Sequence, residues 1–242
     1  MACKPSGLAL IRFDNAAQMD ARLARLIADR LALSIAQNSR ASLALSGGST
    51  PRHLYEQLSY APLDWSKVTV MLVDERFVPP GHDASNEKLV RETLLQNHAA
   101  SASFVGLKGA AQTPEGAAMI ANKTLDALGL PFDAVVLGMG EDGHTASWFS
   151  GAEGLDGVLD PQNPVLCAPL NALQSPITGP YTSRLTLTLS ALKEARLCVL
   201  TLKGSGKKEA YGKALKPGPV NDMPIRAILR TPLGAFWPCW TP

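Results

Sequence analysis

The stretch Phe132-Asp133-Ala134-Val135-Val136-Leu137-Gly138-Met139-Gly140-Glu141-Asp142-Gly143-His144-Thr145 decides how the chain is read. Its first half, Phe132 to Leu137, has the length and composition of a strand buried in a parallel sheet. The loop after such a strand opens onto the carboxyl edge of the sheet, where open α/β folds bind their ligands. Asp-Gly alone is a turn dipeptide, and an aspartate ahead of a helix often serves only as a cap. The imidazole of His144 adds more than a turn needs, because its neutral form accepts a proton near neutral pH. Gly140 and Gly143 let backbone approach a ligand without a Cβ in the way.

On either side of this stretch, helical and strand patterns alternate. Gln18 to Gln37 places Met19, Leu23, Leu26, Ile27 and Ile35 on a helical period, and Ser42 to Leu45 is a short apolar strand. Thr50-Pro51 supplies a cap and an N1 proline for a helix over Arg52 to Leu58, before a strand at Val68 to Val73. Ser85 or Asn86 caps a helix to about Asn97, with Leu89, Val90, Leu94 and Leu95 inward, and Ala102 to Val105 is the next strand. Glu115 to Leu128 is a helix stopping near Gly129, and Val165 to Ala168 is a weaker strand. Arg184 to Leu189 alternates as a half-exposed strand, whereas Arg196 to Leu202 is continuously apolar. Helices over Lys207 to Leu215 and Pro224 to Leu229 complete the chain. This order predicts one α/β domain over residues 1–242, its open sheet mainly parallel, with helices on both faces and right-handed crossovers.

Composition narrows the function classes. The chain has 242 residues, of which 46% are hydrophobic and 18% charged, enough for a sizeable core without an outside partner. A net charge of +2 with scattered basic residues excludes the footprint that nucleic acid demands. Met1 to Arg12 has no long apolar core with a small-residue cleavage site, and no window reaches the ~18 apolar residues of a membrane span, so a cytoplasmic protein is expected. Cys3, Cys167, Cys198 and Cys239 are far apart, without metal-ligand spacing, and are read as reduced thiols, with Cys198 packing as a small hydrophobe. Neither metal nor cofactor is expected, and the chain is read as a monomer or weak homodimer.

Four loops, each after a predicted strand, converge on one sheet edge. Ser46-Gly47-Gly48-Ser49-Thr50 joins a strand to a helix start, so its amides, the hydroxyls of Ser49 and Thr50 and the helix dipole suit an anion such as phosphate. It is neither a Walker loop nor GxGxxG. Asp74-Glu75-Arg76 brings two carboxylates and a guanidinium fit for bidentate phosphate contact. Gly138 to His144 is the third loop and Gly204 to Lys207 the fourth; Arg184 and Lys207 add positive charge. Met139, Trp148 and Phe149 are read as packing rather than recognition.

Ser46-Gly47-Gly48-Ser49-Thr50-Pro51, then Asp74-Glu75-Arg76-Phe77-Val78-Pro79 with Ser85-Asn86, then Gly138-Met139-Gly140-Glu141-Asp142-Gly143-His144-Thr145-Ala146-Ser147 resemble the 6-phosphogluconolactonase family, in family order from about Phe13 to Leu229. The wider superfamily that the chain resembles includes glucosamine-6-phosphate deaminase/isomerase and has a modified Rossmann-like fold. Arg76 stands where the deaminase usually has an aromatic residue, and Phe149 where it usually has a ring-opening glutamate. The commonest lactonase pattern continues into Leu-Phe-Pro, where this chain reads Trp148-Phe149-Ser150. A non-catalytic phosphosugar sensor is the reading from another class, but no DNA-binding segment precedes the domain.

The resemblance implies hydrolysis of 6-phospho-D-glucono-1,5-lactone to 6-phosphogluconate, the second step of the oxidative pentose phosphate pathway. His144 would be the general base, Asp142 would orient it, and Asp74 is counted with them as a candidate catalytic residue. The phosphate would lie among Gly47, Gly48, Ser49, Thr50, Arg184 and Lys207, with Arg76 sharing it or lying over the lactone. Either Arg76 or a backbone amide would hold the developing oxyanion.

Overall fold

In the computed structural model, which describes residues 7–242, the strands in chain order are β1 (Ile11–Arg12), β2 (Ala41–Leu45), β3 (Val68–Leu72), β4 (Asp74–Arg76), β5 (Ser103–Val105), β6 (Ala134–Gly138), β7 (Cys167–Asn171), β8 (Ser183–Leu187), β9 (Cys198–Lys203) and β10 (Phe236–Thr241). The helices are α1 (Ala16–Asn38), α2 (Arg52–Leu58), α3 (Asn86–Thr93), α4 (Pro114–Leu128), α5 (Leu155–Leu159), α6 (Leu189–Leu192), α7 (Ser205–Ala214) and α8 (Ile225–Leu229). Seven strands form one sheet in the order β1-β10-β9-β6-β2-β3-β5, every neighbouring pair parallel. The apolar run from Ala134 is the central strand, β6, and Ala134 to Leu137 are fully buried, as a strand covered on both faces requires. One continuous core runs from Met19 of α1 to Trp240 of β10.

The expected α/β architecture stands, with five local corrections. The first concerns Asp74–Arg76, which is a short strand rather than a loop; β4, β8 and β7 form a separate antiparallel sheet in the order β4-β8-β7. β8 is also not half-exposed, since Arg184 and Thr186 are buried along with Leu185 and Leu187. Arg184 borders a cleft and Thr186 is fully enclosed, so alternation of residue type does not become alternation of exposure.

Thr50 makes no capping bond: α2 begins behind Pro51 with no side-chain cap, and Thr50 Oγ1 instead accepts a hydrogen bond from Lys207. Helix α3 stops at Thr93, short of Asn97, which has φ +49° and opens a separate 3₁₀ turn. Its cap is Ser85, whose hydroxyl accepts from Lys88 N.

The remaining difference is β10, with its partner β1. Pro238 sits inside β10 and masks it in the sequence, because proline is confined to places where no ladder donor is needed. Cys198 N donates to Ala235 O and Gly204 N to Thr241 O, so odd-numbered positions of β10 face β9. Pro238 therefore faces β1, which pairs only with Cys239 and Trp240, and its missing N–H falls outside the paired stretch. Cys239 in this strand, like Cys167 and Cys198, is a free buried thiol whose pKa is pushed up to about 12 by burial. Cys3 lies outside the described residues.

Candidate active site

The loops after β2, β3, β6 and β9 do meet at the carboxyl edge of the sheet. They enclose a cleft of about 230 Å³ whose lining includes Gly47, Gly48, Ser49, Thr50, Asp74, Arg76, His144, Arg184 and Lys207. Of the sequence-derived candidates only Asp142 stays out of the lining; it stands behind His144 and is bonded to it.

His144 Nδ1 lies 2.6 Å from Asp142 Oδ1, and the His144 amide donates to the same oxygen at 3.2 Å. An ionised carboxylate only accepts, so Nδ1 carries the hydrogen and Nε2 keeps its lone pair. Burial pushes the Asp142 carboxyl up, but the hydrogen bond and electrostatic attraction from His144, with backbone amides, outweigh it and hold the group below the ordinary carboxylate range. The imidazole is further fixed by Phe149, whose ring centroid is 4.4 Å away. Gly140 makes room for the pair, because a Cβ there would run into His144 Nδ1 and Asp142 Oδ1.

The anion loop has equally specific demands. Gly48 sits at φ +90°, a region that L side chains rarely adopt. A Cβ on Gly47 would collide with the carboxamide of Asn86. Lys207, in the first turn of α7, donates to Thr50 Oγ1 at 3.2 Å. Burial lowers the Lys207 ammonium pKa, with Glu141 pulling it back up.

Arg184 is buried, and burial lowers its pKa to about 10 despite the nearby Asp74. Its Nε donates to Tyr181 O at 2.7 Å and its Nη2 to Thr178 O at 2.8 Å, and its guanidinium lies 5.5 Å from the Phe149 ring centroid. Ile177, from the same β7–β8 connection, also lines the cleft.

Sequence reading counted neither Asn86 nor Glu75 among the site residues, yet both organise the site. Glu75 accepts from Arg76 N, Asn86 N, Ser85 Oγ and Glu87 N at 2.8–2.9 Å, clamping the start of α3 to β4. Burial raises its pKa, and those four donors pull it back down. Asn86 then donates to Asp74 O at 2.8 Å and accepts from Arg76 Nη1 at 3.1 Å. Arg76 Nη1 also donates to Ala84 O. The signal was present in Ser85-Asn86, but cap chemistry accounts for those residue types without any site. Trp148 is buried, donating to Leu187 O, in keeping with packing.

Among the described residues no cluster of three or more His, Cys, Asp or Glu is placed to hold a metal ion, and no helix is long and apolar enough to cross a membrane.

Residues 14–237 match the family described as glucosamine-6-phosphate isomerases/6-phosphogluconolactonase. A 6-phosphogluconolactonase of Rhizobium meliloti is 49% identical over 228 residues, covering 93% of this chain and 96% of the relative. One from Pseudomonas aeruginosa is 42% identical over 233 residues, covering 96% of each. The crystal structure of a 6-phosphogluconolactonase from Shewanella baltica superposes with a TM-score of 0.88 at 41% identity, covering 99% of this chain and 100% of that one.

Proposed function

The chain belongs to the glucosamine-6-phosphate isomerase/6-phosphogluconolactonase family, and from that premise we propose that it hydrolyses 6-phospho-D-glucono-1,5-lactone to 6-phosphogluconate. The observation that carries the reading is His144, bonded at 2.6 Å to Asp142 behind it, in a cleft shared with the anion loop and Lys207.

His144 Nε2 takes a proton from water as the water oxygen attacks the lactone carbonyl carbon. The tetrahedral intermediate collapses with cleavage of the bond to the ring oxygen, which receives that proton from the imidazolium. Asp142 keeps the ring in the Nδ1–H tautomer and stabilises the imidazolium. Arg76 has donors beyond the Nη1 held by Ala84 and Asn86, and these serve the developing oxyanion or the phosphate. Gly47 to Thr50, Arg184 and Lys207 hold the phosphate, so remote binding orients the carbonyl. Asp74 is the counter-charge to Arg184 at the cleft wall. A cytoplasmic setting, as a monomer or weak homodimer, fits this chemistry.

Phe149 against the imidazole, rather than a carboxylate, favours the lactonase over the deaminase. Lactone hydrolysis, corrected for the spontaneous reaction and run beside ammonia release from glucosamine-6-phosphate, tests the reading. Activity in the first assay alone is expected; ammonia release alone, or binding without turnover, overturns it.

A further inference from the structure

The strand end that leads into the anion loop holds a hydroxyl which the fold does not use. Ser46 is 5% exposed, and its Oγ is buried with no hydrogen-bond partner. Its backbone, by contrast, is fully engaged: Ser46 N donates to Val136 O at 3.0 Å, and Ser46 O accepts from the buried Tyr55 hydroxyl at 2.6 Å. The residue is thereby fixed between β6 and α2, and it lines the cleft. The other buried unpartnered side-chain atoms among the described residues, on Asp20, Arg30 and Thr241, belong to residues outside that lining.

A buried hydroxyl without a partner opposes folding, since it loses its water and gains nothing in return. A serine kept under that cost in the wall of a ligand cleft has its partner in the ligand. Position identifies which part of the ligand. Ser46 lies beside Gly138, the first residue of the segment leading to His144, where a Cβ would sit 3.9 Å from Ser46 Oγ. The anion loop runs on from Ser46 toward Thr50, which Lys207 meets. Ser46 is therefore at the reacting end of the cleft.

We infer that Ser46 is a substrate-contacting residue whose hydroxyl bonds an oxygen at the acyl end of the bound sugar, not its phosphate. The inference rests on the lactonase reading. It separates stability from binding, because removing the hydroxyl relieves the free protein and deprives only the complex.

The test compares wild type with Ser46→Ala, and with Ser46→Cys as a near-isosteric second variant. The readouts are thermal unfolding, lactonase kinetics, and calorimetric binding of 6-phosphogluconate and of inorganic phosphate. Expected for Ser46→Ala are a melting temperature equal to or above wild type, a roughly five- to tenfold loss of 6-phosphogluconate affinity or of kcat/KM, and unchanged phosphate affinity. Ser46→Cys, with a weaker donor, falls between. Unchanged affinity and kinetics overturn the inference, as does a loss explained by lowered stability, or an equal loss toward inorganic phosphate. A wild-type protein without lactonase activity sinks the functional reading instead, which keeps the two failures apart.

Discussion

Ser147 donates its hydroxyl to the Asp74 carboxylate at 2.6 Å, across 73 positions of sequence. That bond ties the turn carrying His144 to strand β4, and so joins the parallel sheet to the small antiparallel one. Both residues are buried, so Ser147→Ala leaves a carboxylate oxygen without its short donor. A loss of about 1–3 kcal/mol in urea unfolding is expected, with lowered kcat. Wild-type stability would show the bond to be dispensable.

His144→Ala removes the proposed proton acceptor and should lower kcat by about 10²–10⁴-fold, with the circular dichroism spectrum unchanged. Asp142→Asn keeps the ring in place but weakens its orientation, so a smaller loss is expected. A full rate in purified His144→Ala takes the imidazole out of the chemistry.

The lowered Asp142 pKa has a stability consequence at acid pH. The native state binds fewer protons than the unfolded state between the depressed folded value and an unfolded value of about 3.9. Its contribution is thus present above that unfolded value and is lost as pH falls through the folded one. Urea unfolding of wild type and Asp142→Asn between neutral pH and acid should show the difference shrinking as acid is added; a constant difference contradicts the pairing.

Burial of Lys207 makes its ammonium easier to deprotonate than that of a free lysine. Affinity for 6-phosphogluconate should therefore weaken on the alkaline side at a lower pH than an ordinary lysine titrates. Lys207→Arg should hold affinity to higher pH, because a guanidinium stays charged. Lys207→Ala should raise KM for the phosphorylated lactone with little change for an unphosphorylated one. Equal effects on both lactones rule the residue out as a phosphate ligand.

Glu75→Gln removes a buried charge, yet is expected to destabilise. All four of its neighbours donate, and an amide nitrogen would face two of them. Isothermal unfolding should show a loss of about 1–3 kcal/mol, with KM raised because Asn86 and Arg76 lose their seat. A neutral substitution would mean that α3 is held by packing alone.

The sequence made the parallel core legible because β2, β3, β6 and β9 are short, largely apolar runs separated by helical stretches, the pattern of strands covered on both faces. The loop residues between them could be placed from position. Less legible were elements whose residue types have cheaper local explanations. Asp74-Glu75-Arg76 looks like a polar turn until Leu185 and Arg184 are seen pairing with it. Asn86 looks like a cap until Gly47 is seen against it. Phe236 to Thr241 is obscured by Pro238, whose tolerance depends on how short β1 is, a fact held more than two hundred positions away. Each miss is a tertiary pairing that no window of local sequence contains.

Arg184 faces two ways, holding the carbonyls of Thr178 and Tyr181 while its guanidinium borders the cleft. The hairpin that supplies Ile177 is therefore mechanically continuous with a cationic wall of the cleft. An engineer who lengthens or replaces that hairpin to admit a bulkier lactone will disturb the seating of this cation at the same stroke, so size selectivity and turnover will have to be redesigned together.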